Sequence, residues 1–257
     1  MDRSQMASLR NLLAQAQALG IKLPKPISTA QATLEKIRAG AAAIPPHDLS
    51  GVANAVADSL ARDADPVTDP AVAKAIALSV ITSSAVVNNI EAVGMERLAQ
   101  SCADHADDIV IAMRIPFDAA AAVLVTSHKQ IGDVDLKDSA AILRQGGNVA
   151  SVWADAVTAS KAIDAIIVAW HSLSQIIRPE QADRRWVALR MIDASAEVYD
   201  RLNASGVAVT PWEAVCGGAK LSLPTLSEYT ERRAAITAER AEIQEAASRG
   251  PKRPSYL

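Results

Sequence analysis

NVASVWADAVTASKAIDAIIVAWHSLSQII, residues Asn148 to Ile177, is the stretch on which the fold turns. Val149, Trp153, Ala156, Ser160, Ile163, Ile167, Trp170, Ser174 and Ile177 follow one another at spacings of 4, 3, 4, 3, 4, 3, 4 and 3. That is the period of one helix face. Val152, Val157, Ile166 and Leu173 widen the stripe beyond a two-stranded seam. A stripe this wide predicts a central helix packed on several neighbours.

Working outward, the chain is punctuated by proline and glycine, with few strand signals between. On the C-terminal side, Arg178-Pro179 turns the chain. A helix is expected from about Glu180 to Asn203, antiparallel to the central one. Thr210-Pro211 starts a short helix that Gly217-Gly218 ends. Pro224-Thr225 starts a last helix, to about Ser248. On the N-terminal side, helices are read at Asp2–Leu19, stopped by Gly20, and at Ser28–Ala43 after a stiff Pro24-Lys25-Pro26 linker. A third helix, capped by Asp48, carries Val52, Val56 and Leu60. Asp69-Pro70 opens a fourth that runs to about Asn89. Glu91 to Met113 reads as one or two helices with a break near Gly94, closed by Pro116. Asp118–Gln130 and Asp138–Arg144 follow.

Composition agrees. Alanine accounts for 52 of the 257 residues, and alanine is the best helix former. The expected class is all-α: an Ala-rich multi-helix bundle with a projecting charged C-terminal helix. Three parts are read along the chain: an N-terminal helical pair at 1–45, a compact core at 46–222, and a charged helix with a basic tail at 223–257. The formal net charge of −3 shows no nucleic-acid footprint. Nucleic acid is therefore not an expected partner. The N-terminus lacks a basic start followed by an apolar run, and the most apolar stretches carry polar or charged residues. The expectation is a chain made in the cytosol, with no membrane partner and with Cys102 and Cys216 as reduced thiols.

Catalytic signatures do not emerge. There is no phosphate loop, dinucleotide fingerprint, His-Glu-x-x-His or nucleophile elbow. Cys102, His105 and Asp108 share ligand chemistry at helical spacing, yet a second half-site is missing and no metal is expected there. Asn88-Asn89-Ile90-Glu91 reads as polar residues at a helix end, and Trp170-His171 as a core tryptophan with its neighbour. Thr126-Ser127-His128-Lys129 point in different directions on a helix. Arg184-Arg185-Trp186 could receive an anion, with pairing to Glu180 or Asp183 as the simpler account. Cys216-Gly217-Gly218 lacks the electropositive setting of a nucleophile. No cofactor and no catalytic residue are assigned.

The C-terminal helix is charged almost all round. Leu226, Tyr229, Ile236 and Ile243 are its main apolar residues, and Arg233 and Arg240 occupy the complementary seam positions. Arg249, Lys252 and Arg253 form its basic end. With the Ala-rich body, the arm Glu228–Ser248 and its Arg249-Gly-Pro-Lys-Arg253 end resemble the structural and assembly proteins of tailed phages from high-GC hosts. Phage scaffolding proteins similarly join helical oligomerising regions to a basic capsid-binding end. The resemblance implies a non-enzymatic, self-associating assembly protein, a homo-oligomer or partner of another protein. The pattern of the C-terminal helix itself marks the expected interface as Leu226, Tyr229, Arg233, Ile236, Arg240, Ile243, Arg249, Lys252 and Arg253. Deleting Thr225–Leu257 would then weaken association and leave the body folded. The alternative is an all-α ligand-binding protein or enzyme. Its mark would be a deep pocket where two of Asn88, Asn89, His105 and His171 converge with a charged residue.

Overall fold

The computed structural model describes residues 2–43, 50–140, 149–177, 184–204, 206 and 208–248, with only the backbone for Ser84, Ala85, Val87, Asn88, Arg184 and Arg185. The protein is an all-α, multi-helix protein. It divides into two compact units, one of residues 25–104, the other of 2–24 and 105–257. The division cuts across the boundaries read from composition. The first two helices, neighbours in sequence, belong to different units. The part read as 46–222 is split after residue 104, and its second portion shares a unit with 223–257.

The first unit holds α2 (Lys25–Ala42), α3 (Ser50–Ala61), α4 (Pro70–Ile81) and α5 (Ser84–Asp104). α2 packs on α5, and α3 on α4. Helix α2 begins at Lys25 rather than Ser28. Pro26 fits the first turn, where its missing N–H would have no partner anyway. The Asp69-Pro70 signal holds: the Asp69 carboxylate accepts from Ala71 N at 2.8 Å and from Arg62 at 2.8 Å. Helix α4 stops at Ile81 instead of running to Asn89, because Ser83 supplies a new cap, its Oγ accepting from Val86 N. Gly94 does not break α5. It lies where α2 crosses, and a methyl group there would meet Leu34 Cδ1 at 2.9 Å. Ile27, Leu34, Val72, Met95, Leu98 and Cys102 are buried. Leu60 is exposed, and so are Ile76, Leu78, Val80 and Ile81 of α4.

The second unit contains α1 (Arg3–Ala18), α6 (Ala106–Ile131) and α7 (Val149–Ile177), then a 3₁₀ segment (Arg184–Arg190), α8 (Ala196–Asn203), α9 (Pro211–Cys216) and α10 (Leu226–Ser248). Helix α7 is central, as its wide stripe predicts, flanked by α6 and α1. Ala156, Ile163, Ile166, Trp170 and Leu173 form its buried spine. Asp2 and Gln5 make a reciprocal capping box on α1. Gly20, at φ +63°, ends it, and Ile21 N donates back to Ala16 O at 2.8 Å. Pro116 lies inside α6 instead of ending it. Ile109, Met113, Phe117 and Leu124 form one continuous buried row across it. Their burial outweighs the roughly 3 kcal/mol that an interior proline costs. By length and composition α6 could cross a membrane, but this row packs on α7.

The helix expected over Glu180–Asn203 is interrupted. Its described part is the 3₁₀ segment, then a two-residue strand, Ile192–Asp193, paired antiparallel with Lys220–Leu221, then α8. The Ser195 hydroxyl caps α8 by accepting from Val198 N. Buried Met191 and Ile192 are held by the ladder and by Ser222 N donating to Met191 O at 2.8 Å.

Helix α10 is docked over its first half. Leu226, Tyr229 and Ile236 are buried in the same chain. Its charges serve neighbouring backbone: Arg232 donates to Ile192 O and Ser222 O at 2.9 Å each, and Glu239 accepts from Ala196 N at 2.8 Å. Arg114 pairs with Glu228, and Arg240 with Asp200. Only residues 241–248 form an exposed end.

Candidate functional site

A cleft of about 1210 Å³ opens within the second unit. Helix α1 contributes Ser4 and Ser8, and α7 contributes His171 and Gln175. Trp186, Val187 and Arg190 come from the 3₁₀ segment, Tyr199 and Asp200 from α8, and Arg240 from α10. The wall owes its shape to the interruption after α7. A continuous helix over 180–203 would place Arg190 and Tyr199 on one rod, whereas the ladder and the Ser195 cap let the chain turn between them.

Arg190 is the deepest charge here, 4% exposed. Its guanidinium carbon lies 5.6 Å from the centre of the Trp170 ring. Burial pulls its pKa below the usual arginine value, and the Tyr229 hydroxyl hydrogen-bonded beside it opposes that shift. Two of its donors, Nε and Nη2, are buried without a hydrogen-bond partner. His171 presents a second orphan, its buried Nδ1. Desolvation, and then the nearby Arg190 charge, lower the His171 pKa, so the ring is neutral near pH 7. Asp200 lines the same cleft, but Arg240 engages its carboxylate. Trp186 stacks on Tyr199 with ring centres 5.5 Å apart, and Arg240 lies over both rings.

A buried arginine normally has an anion or several acceptors around it. Leaving two donors unmet costs about 1–3 kcal/mol apiece. Among the described residues no carboxylate answers Arg190. A buried arginine with unmet donors beside His171, a net positive charge and an apolar aromatic wall are the chemistry that receives a small organic anion.

The residues singled out from sequence are distributed otherwise. Trp170 is core, its Nε1 donating to Pro224 O at 2.7 Å, while its neighbour His171 faces the cleft. Of Asn88, Asn89, His105 and His171, no two share a described pocket: His171 lines the cleft with Arg190, and Asn89 lines a separate pocket of the first unit with Arg97. Asn89 is exposed and the side chain of Asn88 lies outside the described residues. The helix carrying Cys102 ends before His105, and His105 and Asp108 open the next helix, in the other unit. The Cys102 thiol is fully buried in the first unit, which pushes its pKa up to about 12. His105 pairs with Asp108 at 3.3 Å. Of the proposed interface, Leu226, Tyr229 and Ile236 are already buried, and Arg233 and Arg240 lie over Trp186. Ile243 is 53% exposed. Arg249, Lys252 and Arg253, like the side chains of Arg184 and Arg185, lie outside the described residues.

Sequence reasoning missed Arg190. Its one usable signal was a lone arginine between apolar residues, Val187-Ala188-Leu189 and Met191-Ile192. No family model, curated protein or solved structure matches this chain.

Proposed function

We propose that the second unit is a binding body for a small organic anion, a carboxylate or phosphate monoester carrying an apolar or aromatic group. The observation that carries this reading is the pair of unmet buried donors on Arg190 in a cleft shared with His171. The acid group would lie against the Arg190 guanidinium at the cleft wall, and its body along Trp186 and Val187. Charge-assisted hydrogen bonds contribute about 1.5–3 kcal/mol each, enough to select an anion over its neutral amide.

The test is isothermal titration with aromatic and aliphatic monocarboxylates, their amides and phosphate monoesters. At least one acid is expected to bind while its amide does not. Arg190→Met would lose at least about tenfold in affinity, as the loss of one charged hydrogen bond requires. The same variant would melt at a higher temperature, because methionine removes an unpaired buried charge and keeps the volume. Binding retained in Arg190→Met would refute the assignment.

A second reading, self-association in an assembly role, is favoured by helix α4. Ile76 at 48% and Val80 at 56% exposure lie one turn apart beside exposed Leu78 and Ile81. Contiguous exposed apolar side chains of this kind mark interaction surfaces. This reading moves the contact from the C-terminal helix to the first unit. Light scattering over a concentration series would show an oligomer that the double variant Ile76→Lys, Val80→Lys converts to monomer. A monomer at every concentration would dismiss it.

A further inference from the structure

We propose that His128, Asp133 and Cys216 form a zinc site with three protein ligands and a fourth position open to solvent. One imidazole nitrogen, one carboxylate oxygen and the thiol sulfur lie within 4.8 Å of one another. His128 and Asp133 come from the last turn of α6 and the loop just after it, and Cys216, far along the chain, is the last residue of α9. Zinc–ligand bonds of about 2.0–2.3 Å in a tetrahedron place donor atoms about 3.3–3.7 Å apart. His128 Nε2 and Asp133 Oδ1 are closer, 2.6 Å, joined by a hydrogen bond. Admitting the ion requires that contact to open by roughly 1 Å. The Asp133 side chain is 74% exposed and free to make that movement.

The frame around the donors is set without an ion. Gly132, at φ +68°, turns the chain out of α6, its N–H donating to His128 O at 2.8 Å. Trp212 Nε1 donates to Val134 O at 2.7 Å, tying the loop to α9. The His128 ring meets the Trp212 ring edge-on at 5.7 Å. Gly217, next to the thiol, is held through its carbonyl by Arg201 at 2.7 Å. Histidine, carboxylate and thiolate together suit zinc and not magnesium or calcium, which take oxygen donors. In the metal-free protein, burial and then the neighbouring Asp133 push the Cys216 thiol to about 11, so the sulfur is protonated near pH 7. Binding replaces the S–H bond by an S–Zn bond and releases that proton to solvent, while His128 Nε2 gives up its hydrogen bond to Asp133, the ring's proton being carried on Nδ1, so that the Nε2 lone pair meets the ion.

The experiment uses the full chain, free of any affinity tag, titrated with zinc alone and with cobalt as a spectroscopic substitute. One ion per chain is expected to bind, with a thiolate-to-cobalt charge-transfer band that zinc abolishes. Cys216→Ser would lose the band. Asp133→Asn, on an exposed loop, keeps the fold and would weaken zinc binding at least about tenfold, since even residues that only orient a ligand cost 10–100-fold. Absence of the band in the parent protein, or its persistence in Cys216→Ser, would overturn the site. So would unchanged zinc affinity in Asp133→Asn.

Discussion

Arg190 and His171 share one predicament: each is a polar group that the fold has taken out of water without an internal partner for every atom. For His171 this has a pH consequence. Its pKa is lowered in the folded protein, so below about 6.5 the unfolded chain takes up a proton that the folded one resists. Stability is present in full above that value and falls as pH drops through it toward the folded pKa. His171→Gln, which cannot titrate, would flatten this part of the profile. Urea midpoints at pH 7 and pH 5 would differ less in the variant than in the parent. An equal drop in both would show that His171 is not the group responsible. The ring was recognisable in sequence only as the neighbour of a core tryptophan. Its orphan nitrogen depends on what α1 and the 3₁₀ segment bring up to it.

Among the elements, α10 best shows how a charged sequence can be an interior one. Its period-seven apolar residues and its arginines read as a free arm, but each docked arginine ends on a carbonyl, a carboxylate or a ring of its own chain. Deleting residues 225–257 therefore removes Leu226, Tyr229 and Ile236 from the core and would destabilise the second unit by more than about 5 kcal/mol, since each large buried side chain contributes about 2–5. Ending the chain after Arg240 removes, among the described residues, only the exposed turns 241–248, and would leave the thermal midpoint unchanged. Equal melting of the two truncations would contradict this docking. Helix α6 makes the complementary point. Its proline survives because the buried row on either side is worth more than one missing hydrogen bond. Pro116→Ala would restore an N–H for Ala112 O and raise stability by about 1–3 kcal/mol, read from the denaturant midpoint. A loss instead would mean that the side chains have adapted to the proline.

The whole molecule is organised by packing, not by order along the chain. Helix α1 belongs with α7: Leu9, Leu12 and Ala16 are buried, and Asn11 donates to Ser172 Oγ at 2.9 Å. Deleting residues 1–24 would therefore unfold the second unit. All four tryptophans lie in that unit, so their fluorescence reports on it selectively. The truncation is expected to show red-shifted emission and no cooperative transition, and a native-like spectrum with a sharp melt would refute the assignment of α1.

What the residues alone determined was the local physics. The 3-4 repeat of Asn148–Ile177 made a wide-faced helix. Asp69-Pro70, Thr210-Pro211 and Pro224-Thr225 started helices where their side chains could meet free N–H groups, and Gly20 stopped one. These signals act within one turn of chain, so they survive any tertiary arrangement. Tertiary structure alone decided whether Pro116 and Gly94 broke a helix, why Met191 and Ile192 left one, and which unit claimed α1. It also decided that His128 and Asp133 would meet Cys216, and that Arg190 would be buried beside His171. Each of those outcomes is a balance between a local preference of a few kcal/mol and burial summed over residues distant in sequence. No window of neighbouring residues contains the second of those quantities.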